Sequence, residues 1–261
     1  MNSISCPVCG KATHFITEKK DRFNADYRYV ACKNCHFLFE EDLVLHPENL
    51  AKKVSGVYQK DYFDTIDTGW KMRGDGFLKI IKKIIKIYQF LKIEKRITIL
   101  DYGGGNGYLA SKLAPHGNVF YYDKYEKPSI MGEYTVLENP IKAEILYAVE
   151  LVEHITDISE WNFLKELSPD MFVFTTCLSD NIKKEEMASW EYLHTDGGHT
   201  AIYSCQSLYL LGEKYGFMYF FFPNIACHIF IKNQFLSRIN FVKIEYFMYN
   251  ILRKVKNFNK K

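Results

Sequence analysis

Four cysteines near the beginning of the sequence form two pairs with the spacing that metal ligands require. Cys6 and Cys9 make the first Cys-x-x-Cys pair, and Cys32 and Cys35 make the second after an interval of 22 residues. Each pair can offer two thiolates from one tight turn, and a tetrahedral Zn²⁺ ion can join the two turns. Because four thiolates leave no open coordination position, the pattern predicts a structural zinc ribbon and not a catalytic zinc.

A glycine-rich turn carries the second group of residues that could do chemistry. Asp101 is followed by Gly103, Gly105 and Gly107 in the pattern D-x-G-x-G-x-G, between an apolar run and a short helical segment. Glycines let the backbone approach a ligand, and Asp123, at the end of the next apolar run, can accept hydrogen bonds from a ribose diol. The dinucleotide pattern G-x-G-x-x-G fails here, because a tyrosine stands where its third glycine belongs. The turn therefore predicts a nucleotide-binding β-α-β unit of another kind.

Two carboxylates and an imidazole lie close together in the run E-L-V-E-H. Glu150, Glu153 and His154 follow a strand predicted for residues 144–149, and their spacing of three and four lets them converge on one side of a turn. The run stands at the carboxyl end of that strand, where open α/β sheets bind their ligands. With one further ligand and waters, these groups can bind Mg²⁺ or Mn²⁺.

Aromatic and histidine side chains are concentrated in one later segment. Trp190 and Tyr192 suit stacking on a sugar or a base, and filling of the protein core explains them equally well. A glycine pair ending just before His199 lets this loop fold back over the run E-L-V-E-H. His194 is the alternative substrate-facing histidine of the same loop, and Ser204 is a natural N-cap for the helix that follows.

The glycine turn and its two acids resemble motif I of the class I S-adenosylmethionine (SAM) methyltransferases. In that family, the acid that matches Asp101 sits near the sulfonium end of SAM, and the acid that matches Asp123 receives the ribose diol. The resemblance implies an α/β, Rossmann-like methyltransferase domain with a seven-stranded sheet. It also implies that the cofactor SAM is bound by Asp101, Gly103, Gly105, Gly107, Asp123 and Glu138. In this set, Glu138 would contact the adenine.

Other stretches resemble the methyltransferases of bacterial sugar pathways, namely the zinc ribbon, the aromatic stretch 57–63 and the segment W-x-Y…G-x-H that ends in His199. The run E-x-x-E-H also resembles ubiquinone-pathway O-methyltransferases and small-RNA 2′-O-methyltransferases, and in both families the divalent metal binds there. His199 matches the position that supplies the last metal ligand in the small-RNA enzymes. Relatives without metal use a similar acid–histidine pair to contact the cofactor and to act as a base. Two hypotheses therefore stay open: an Mg²⁺ or Mn²⁺ site of Glu150, Glu153, His154 and His199, or catalysis by His154 or His199 with Glu150 at the cofactor.

Hydrophobic periodicity places these residues on predicted elements. Strands are predicted for residues 97–100, 118–123, 134–137, 144–149, 171–176, 218–222 and 227–231, the last of them antiparallel, and a hairpin within residues 15–30. Helices are predicted for residues 77–93, 108–113, 158–167 and 205–215. The first of these helices follows two expected chain breaks, Gly69-Trp70 and Gly74-Asp75-Gly76. Its lysines are interleaved with isoleucines, which is typical of a helix packed on a sheet.

Composition describes an ordinary globular protein. The chain of 261 residues is 48% hydrophobic and 25% charged, which suits one large α/β domain with a small module. Its net charge of +3 is too small to favour nucleic acid as a partner. Seven cysteines and no apolar leader favour metal binding or free thiols in a reducing cytoplasm. The predicted domains are a zinc ribbon (1–45), a helical connector (46–95), the SAM-binding methyltransferase domain (96–232) and a basic, aromatic C-terminal extension (233–261).

Together, these patterns predict a cytoplasmic SAM-dependent methyltransferase with a zinc ribbon. The expected acceptor is a hydroxyl of a sugar or nucleotide sugar used to build a surface polysaccharide such as a capsule. One alternative is an RNA ribose O-methyltransferase, although no arginine-rich patch precedes the basic end of the chain. The other is a non-catalytic SAM-fold module that recruits a partner, which the intact Asp101 and Asp123 disfavour. The basic extension either packs as a helix or contacts an anionic membrane surface.

Overall fold

A computed structural model describes residues 4–20, 26–42, 46, 69–92, 96–155, 157–193, 198–223 and 226–238. The aromatic stretch 57–63, His194 and residues 239–261 lie outside the described residues, so the predictions made for them stay predictions. The described strands are β1 (Thr13–Lys20), β2 (Asp26–Cys32), β3 (Leu38–Glu40), β4 (Thr98–Tyr102), β5 (Asn118–Tyr122), β6 (Thr135–Val136), β7 (Ile145–Val149), β8 (Met171–Thr175), β9 (Ala201–Ile202), β10 (Phe217–Phe222) and β11 (Cys227–Lys232). The described α-helices are α1 (Trp70–Lys92), α2 (Tyr108–Leu113), α3 (Phe163–Leu167), α4 (Cys205–Tyr215) and α5 (Asn233–Arg238).

The chain divides into two compact units, each built from segments that are distant in the sequence. The ribbon unit consists of Met1–Ile66, Glu150–Asn162 and Thr176–Tyr215. The sheet unit consists of Asp67–Val149, Phe163–Thr175 and Gly216–Lys261. The domain limits predicted from the sequence remain a prediction, since a compact unit can draw on several separate segments.

The sheet unit contains seven strands in the order β10-β11-β8-β7-β4-β5-β6. Strands β6, β5, β4, β7 and β8 run parallel to one another, and β11 runs antiparallel to both β8 and β10. All five residues of β8 are buried, as expected for a parallel strand that is covered on both faces. This arrangement confirms the predicted Rossmann-like, seven-stranded fold with an antiparallel last strand. The strand order reverses direction beside β4, which is where such sheets bind ligands.

Helix α1 begins earlier than the sequence analysis predicted. It runs without a break from Trp70 to Lys92, so the break expected at Gly74-Asp75-Gly76 was wrong, while the helix does begin at the Gly69-Trp70 position. Gly74 is buried within the helix, where an added Cβ would meet the ring of Tyr108 at 3.3 Å. The helical cost of this glycine, about 1 kcal/mol, is offset by the buried apolar face that begins at Phe77 and continues through Ile81. None of the described helices, α1 included, is long and apolar enough to cross a membrane.

The helix predicted for residues 158–167 is divided in two. Residues Ile158–Asn162 form a 3₁₀ turn, and only the second half is the α-helix α3. The carboxylate of Asp157 accepts hydrogen bonds from the backbone and the hydroxyl of Ser159, and its carbonyl accepts one from the Glu160 N–H at 2.9 Å. These local bonds favour the tighter 3₁₀ spacing over the α-helical one.

The ribbon unit is organised around a four-stranded antiparallel sheet in the order β1-β2-β3-β9. The predicted hairpin is present as β1 and β2, but the sequence analysis did not predict that β9 would join it. The apolar core of this unit combines residues of the ribbon with residues of the later segment, namely Tyr29, Ala31, Leu38, Met187, Leu193 and Ile202. The ribbon and the segment that contains Leu193 therefore stabilise one another by sharing one core.

The turn between β4 and α2 needs glycine for two separate reasons. Gly103, Gly105 and Gly107 all have positive φ values, of 74°, 52° and 82°. A Cβ on Gly107 would also lie 2.8 Å from the Cβ of Pro128 and 2.9 Å from the carbonyl oxygen of Ile130. Other residue types would therefore add backbone strain at each of these positions and a steric clash at Gly107.

Replacing Gly107 by alanine should lower the free energy of unfolding by about 2–5 kcal/mol, the sum of left-handed strain and overpacking. Gly216→Ala is the matched control, because Gly216 has a φ of 81° but no atom within 4 Å of an added Cβ. The control should lose only about 1–2 kcal/mol. Urea unfolding of both variants measures the difference, and equal losses would show that close packing does not constrain this turn.

Candidate functional site

Asp123 holds the glycine turn from the end of the neighbouring strand. One of its carboxylate oxygens accepts a hydrogen bond from the Gly105 N–H at 2.9 Å, and the other accepts the N–H groups of Tyr125 and Glu126, each at 2.9 Å. The Tyr121 hydroxyl donates to the Gly105 carbonyl at 2.6 Å. The turn is thus fixed by side chains of β5 and of the residues that follow it.

Asp101 is buried in the sheet unit, with 2% of its surface exposed. Burial raises the pKa of its carboxyl from 3.8 to about 7, an effect that Tyr147 partly offsets and that the charge of Asp123 increases. Among the described residues, its Oδ2 atom makes no hydrogen bond of good geometry, although the Tyr147 hydroxyl is near. A buried carboxyl with one oxygen that lacks a good hydrogen bond suits a ligand that carries a positive charge.

A Cβ on Gly104 would lie 2.6 Å from the Tyr121 ring and 2.9 Å from the Asp101 carboxyl carbon, so the turn approaches both side chains closely. Glu138 is exposed and follows β6. Because Val136 pairs with Tyr121, Glu138 and Asp123 follow their parallel strands at the same level. The turn, Asp101, Asp123 and Glu138 therefore belong to the same edge of the sheet and fit a nucleoside ligand such as SAM.

The four cysteines of the ribbon come together in the ribbon unit. Their sulfur atoms all lie within 4.8 Å of one another, with 3.6 Å between Cys6 and Cys35 and 3.4 Å between Cys9 and Cys32. Tetrahedral zinc with bonds of 2.3 Å places sulfur atoms about 3.8 Å apart. The N–H groups of Asn34 and Cys35 donate to the Cys32 sulfur, as outer-shell donors do around a metal thiolate. The donor set therefore fits a structural Zn²⁺ ion.

A second group of ligand atoms lies in the same unit. Glu153, His154 and His199 each offer one such atom, and these atoms lie within 4.8 Å of one another. The rings of the two histidines are 5.0 Å apart and nearly perpendicular. The structure thus brings together three of the four residues that the sequence predicted for a divalent-metal site. Glu150, the fourth, is not part of this group.

Hydrogen bonds to the backbone fix the tautomers of the two histidines. Nδ1 of His154 lies 3.1 Å from the Gly198 carbonyl oxygen, and Nδ1 of His199 lies 2.9 Å from the Tyr192 carbonyl oxygen. A carbonyl can only accept, so each Nδ1 carries a proton, and in the neutral form of either ring Nε2 carries the lone pair. The ring of His154 also has the backbone carbonyl of Glu150 nearby. Burial, together with His199, lowers the pKa of His154 to about 3, which keeps its ring neutral. Neutral imidazoles anchored through one nitrogen are typical metal ligands.

Glu153 is completely buried. Neither of its carboxylate oxygens makes a hydrogen bond of good geometry to the described part of the chain, although Tyr192 and Thr176 are near. Burial and the nearby charge of Glu150 raise the pKa of Glu153 well above its usual range. A buried carboxyl beside the neutral ring of His154 and a second carboxylate stays protonated unless a cation supplies a positive charge.

Glu150 follows β7 directly and has a φ of 49°, a strained value for a residue that is not glycine. Its carboxylate accepts a hydrogen bond of 3.3 Å from the Tyr192 hydroxyl, which also bonds to Thr176 and to the N–H of Cys177. Trp190 is half-buried, with its ring 5.5 Å from that of Tyr192. Tyr192 thus has a structural role that stacking arguments alone did not predict.

Sequence reasoning did not identify several residues that shape these sites. Tyr121 contacts the glycine turn and Tyr147 lies near Asp101. Both tyrosines are part of apolar strands, and nothing in the sequence of those strands indicated a function. Thr200 donates its N–H to the Glu153 carbonyl at 3.1 Å, and Lys19 donates to two carbonyls near Tyr192. The last two contacts join segments that are distant in the sequence, so no local pattern could reveal them.

Comparison with known proteins yields one family. A model described as a methyltransferase domain matches residues 74–219. No curated protein matches the sequence.

Solved structures of low identity resemble the chain. The magnesium protoporphyrin IX methyltransferase ChlM from Synechocystis PCC 6803 with bound SAH is 13% identical, with a TM-score of 0.42 over 66% of this chain and 97% of that one. The plantazolicin methyltransferase BpumL, with a monoazolic desmethylPZN analog and SAH, is 14% identical, with a TM-score of 0.48 over 72% and 98%. WbdD with the kinase inhibitor LY294002 is 10% identical, with a TM-score of 0.44 over 71% and 47%.

The raised pKa of Asp101 predicts a specific pH dependence of stability. Between about pH 4 and pH 7 the folded protein keeps a proton that the unfolded chain has lost, so stability falls as the pH rises through this window. The variant Asp101→Asn lacks this effect. The free energy of unfolding of the variant, minus that of the original protein, should therefore increase by up to about 4 kcal/mol from pH 4 to pH 8.

Denaturant unfolding at several pH values measures this difference. The exposed Glu133, replaced by glutamine, is the control and should show no such trend. A constant difference between Asp101→Asn and the original protein across the range would contradict the proposed burial of an ionisable carboxyl.

Proposed function

We propose that this chain, which belongs to the methyltransferase-domain family that matches residues 74–219, methylates a hydroxyl group. The proposed acceptor is a sugar or nucleotide sugar used in surface polysaccharide synthesis. SAM-dependent methyl transfer is the activity of the family. The acceptor, and the use of oxygen as its reacting atom, are our proposal. The observation that carries it is the group of Glu153, His154 and His199, in which a fully buried carboxyl has a ligand atom within 4.8 Å of those of two imidazoles.

The sheet unit supplies the cofactor site in this proposal. Asp123, which already accepts three N–H groups, would receive the ribose diol. Glu138, which follows the neighbouring strand β6, would contact the adenine. Asp101 would face the positive end of SAM, where its ionised form gains a partner. When bound, SAM supplies an electrophilic methyl group on a sulfonium. The protein has to hold the acceptor oxygen in line with that methyl group.

The ribbon unit supplies the acceptor site. A sugar hydroxyl is a weak nucleophile at neutral pH, so its proton has to be withdrawn or its pKa lowered. Glu153, His154 and His199 would hold Mg²⁺ or Mn²⁺, and the two imidazoles favour Mn²⁺ or another transition ion. A divalent ion lowers the pKa of a bound hydroxyl and can orient a vicinal diol. Glu150 and Tyr192 would bind the rest of the acceptor or its waters.

The metal-free hypothesis from the sequence analysis assigns the proton to His154 or His199. The hydrogen bonds on Nδ1 leave the lone pair of each ring on Nε2, so either ring has the correct tautomer to act as a base. The metal-free hypothesis has one weakness, because it provides no partner for the two carboxylate oxygens of Glu153. The metal site accounts for both the histidines and the carboxylate, and we favour it for that reason.

The four cysteines belong to the proposal as a structural zinc site. Trp190 and Tyr192 remain candidates for contact with the sugar, and a cytoplasmic location remains a prediction. Contact of the basic extension with a membrane also remains a prediction, since most of that segment lies outside the described residues.

Asp123→Ala should weaken SAM binding by roughly 1–3 kcal/mol, the usual cost of losing a charge-assisted hydrogen bond. Calorimetric titration with SAM measures this change. Glu133→Ala, which removes an exposed carboxylate from the same unit, is the control and should bind SAM normally. Unchanged affinity in Asp123→Ala would refute the assignment of the ribose contact.

Chelation should abolish methyl transfer to a panel of nucleotide sugars while SAM still binds, because the cofactor site uses no metal. Activity should return with Mn²⁺ or Mg²⁺ and should not return with zinc alone, which controls for loss of the ribbon metal. If full transfer survives exhaustive chelation but is lost in His154→Ala or His199→Ala, a histidine acts as the base and the metal site is wrong.

A further inference from the structure

We infer that the zinc ribbon positions the ring of His199, so that the ribbon acts as a scaffold for the acceptor site through Lys19 and Tyr29. The catalytic importance of the His199 ring rests on the proposed function. The contacts that orient the ring are seen in the structure and do not depend on that proposal. All of the groups concerned belong to the ribbon unit. They connect the ribbon to His199 by three separate routes.

The first route is the backbone of the four-stranded sheet. Strand β9 begins two residues after His199 and is only two residues long, with Ala201 paired to Phe39 of β3. Between them, Thr200 accepts the N–H of Glu40 at 2.9 Å and donates its own N–H to the Glu153 carbonyl at 3.1 Å. A strand of this length has almost no stability of its own, so the ribbon has to hold it in place.

The second route passes through Lys19 of β1. Its ammonium group donates to the carbonyls of Trp190 and Leu193, each at 2.7 Å. These carbonyls flank Tyr192, whose own carbonyl accepts the Nδ1 proton of His199. Lys19 is half-buried, and burial lowers its pKa, an effect that Glu191 opposes. The ammonium group of Lys19 thus holds the turn that contains Tyr192. The carbonyl of Tyr192 in turn sets the tautomer and the direction of the His199 ring.

The third route starts from buried Tyr29 on β2. Its hydroxyl donates to the carbonyl of His199 at 3.2 Å, which holds the backbone of that residue. Nearby, the Ser204 hydroxyl caps α4 by accepting the N–H of Ser207 at 3.0 Å, and it donates to the carbonyl of Cys35. The backbone of Cys35, one of the four cysteines, therefore accepts a hydrogen bond from Ser204 in the segment that follows β9.

These contacts give Lys19 and Tyr29 the role of positioning residues. Neither is among the residues that could hold a metal, and both act on His199 through its backbone or its Nδ1 partner. A loosened turn would let the ring exchange tautomers and leave Nε2 poorly directed. The loss would fall on the acceptor site, while the cofactor residues of the sheet unit would keep their own contacts.

The test is the ring ¹⁵N spectrum of zinc-loaded protein labelled at histidine, with His199→Gln to assign the signal. The original protein should show His199 with its proton on Nδ1. In Lys19→Met the signal should shift towards a mixture of tautomers, while the neighbouring Lys20→Met, an exposed lysine paired with Asp26, should leave it unchanged. A normal signal in Lys19→Met, or an equal shift in Lys20→Met, would overturn the inference. Tyr29→Phe repeats the test by removing one oxygen atom if Lys19→Met fails to fold.

Binding of Mn²⁺ alone, followed by electron paramagnetic resonance, separates this inference from the proposed function. Lys19→Met should bind Mn²⁺ about 3- to 10-fold more weakly than the original protein or Lys20→Met, with SAM affinity unchanged. If the original protein binds no Mn²⁺ but its His199 signal still responds to Lys19→Met, the metal proposal fails and the positioning role stands. If Mn²⁺ binds equally to all three proteins, the positioning role fails and the metal proposal stands.

Discussion

A carboxylate cannot remain charged inside a protein without hydrogen-bond donors or a cation, and Glu153 is placed under this constraint. It is fully buried, and its oxygens make no hydrogen bond of good geometry to the described residues. The neighbouring groups are the imidazoles of His154 and His199 and the carboxylate of Glu150, and burial keeps the ring of His154 neutral. A protein would tolerate such an arrangement if a cation is part of the folded, active state. The proposed function of the ribbon unit follows from this requirement.

The two units divide the work of the proposed reaction. The sheet unit positions the glycine turn by Asp123 and Tyr121 and leaves Asp101 buried for a positively charged ligand. The ribbon unit combines a closed four-thiolate cluster with the open group around Glu153. A closed cluster suits structure and an open one suits chemistry, which is the usual distinction between structural and catalytic metal sites. In this molecule the two kinds of site lie in one unit, whose apolar core combines residues of the ribbon with residues of the later segment.

The sequence was informative where local patterns decide the structure. Continuous apolar runs predicted the parallel strands, and the antiparallel last strand was also predicted correctly. Local patterns failed where distant packing prevails, as at Gly74, which is accommodated within α1 instead of breaking it. Strand β9 could not be predicted from two residues, because its identity comes from pairing with β3. The same limit hid Lys19 and Tyr29, whose partners lie at least 170 residues later in the sequence.

Anomalous scattering from crystals grown with Mn²⁺ and SAH, recorded at the zinc and manganese absorption edges, tests the central claim most directly. The account predicts a zinc peak enclosed by the four cysteine sulfurs and a manganese peak bound by Glu153 and by Nε2 of His154 and His199. A Glu153 carboxylate that lies free of metal in such crystals, with both oxygens bonded to protein or water, would contradict it.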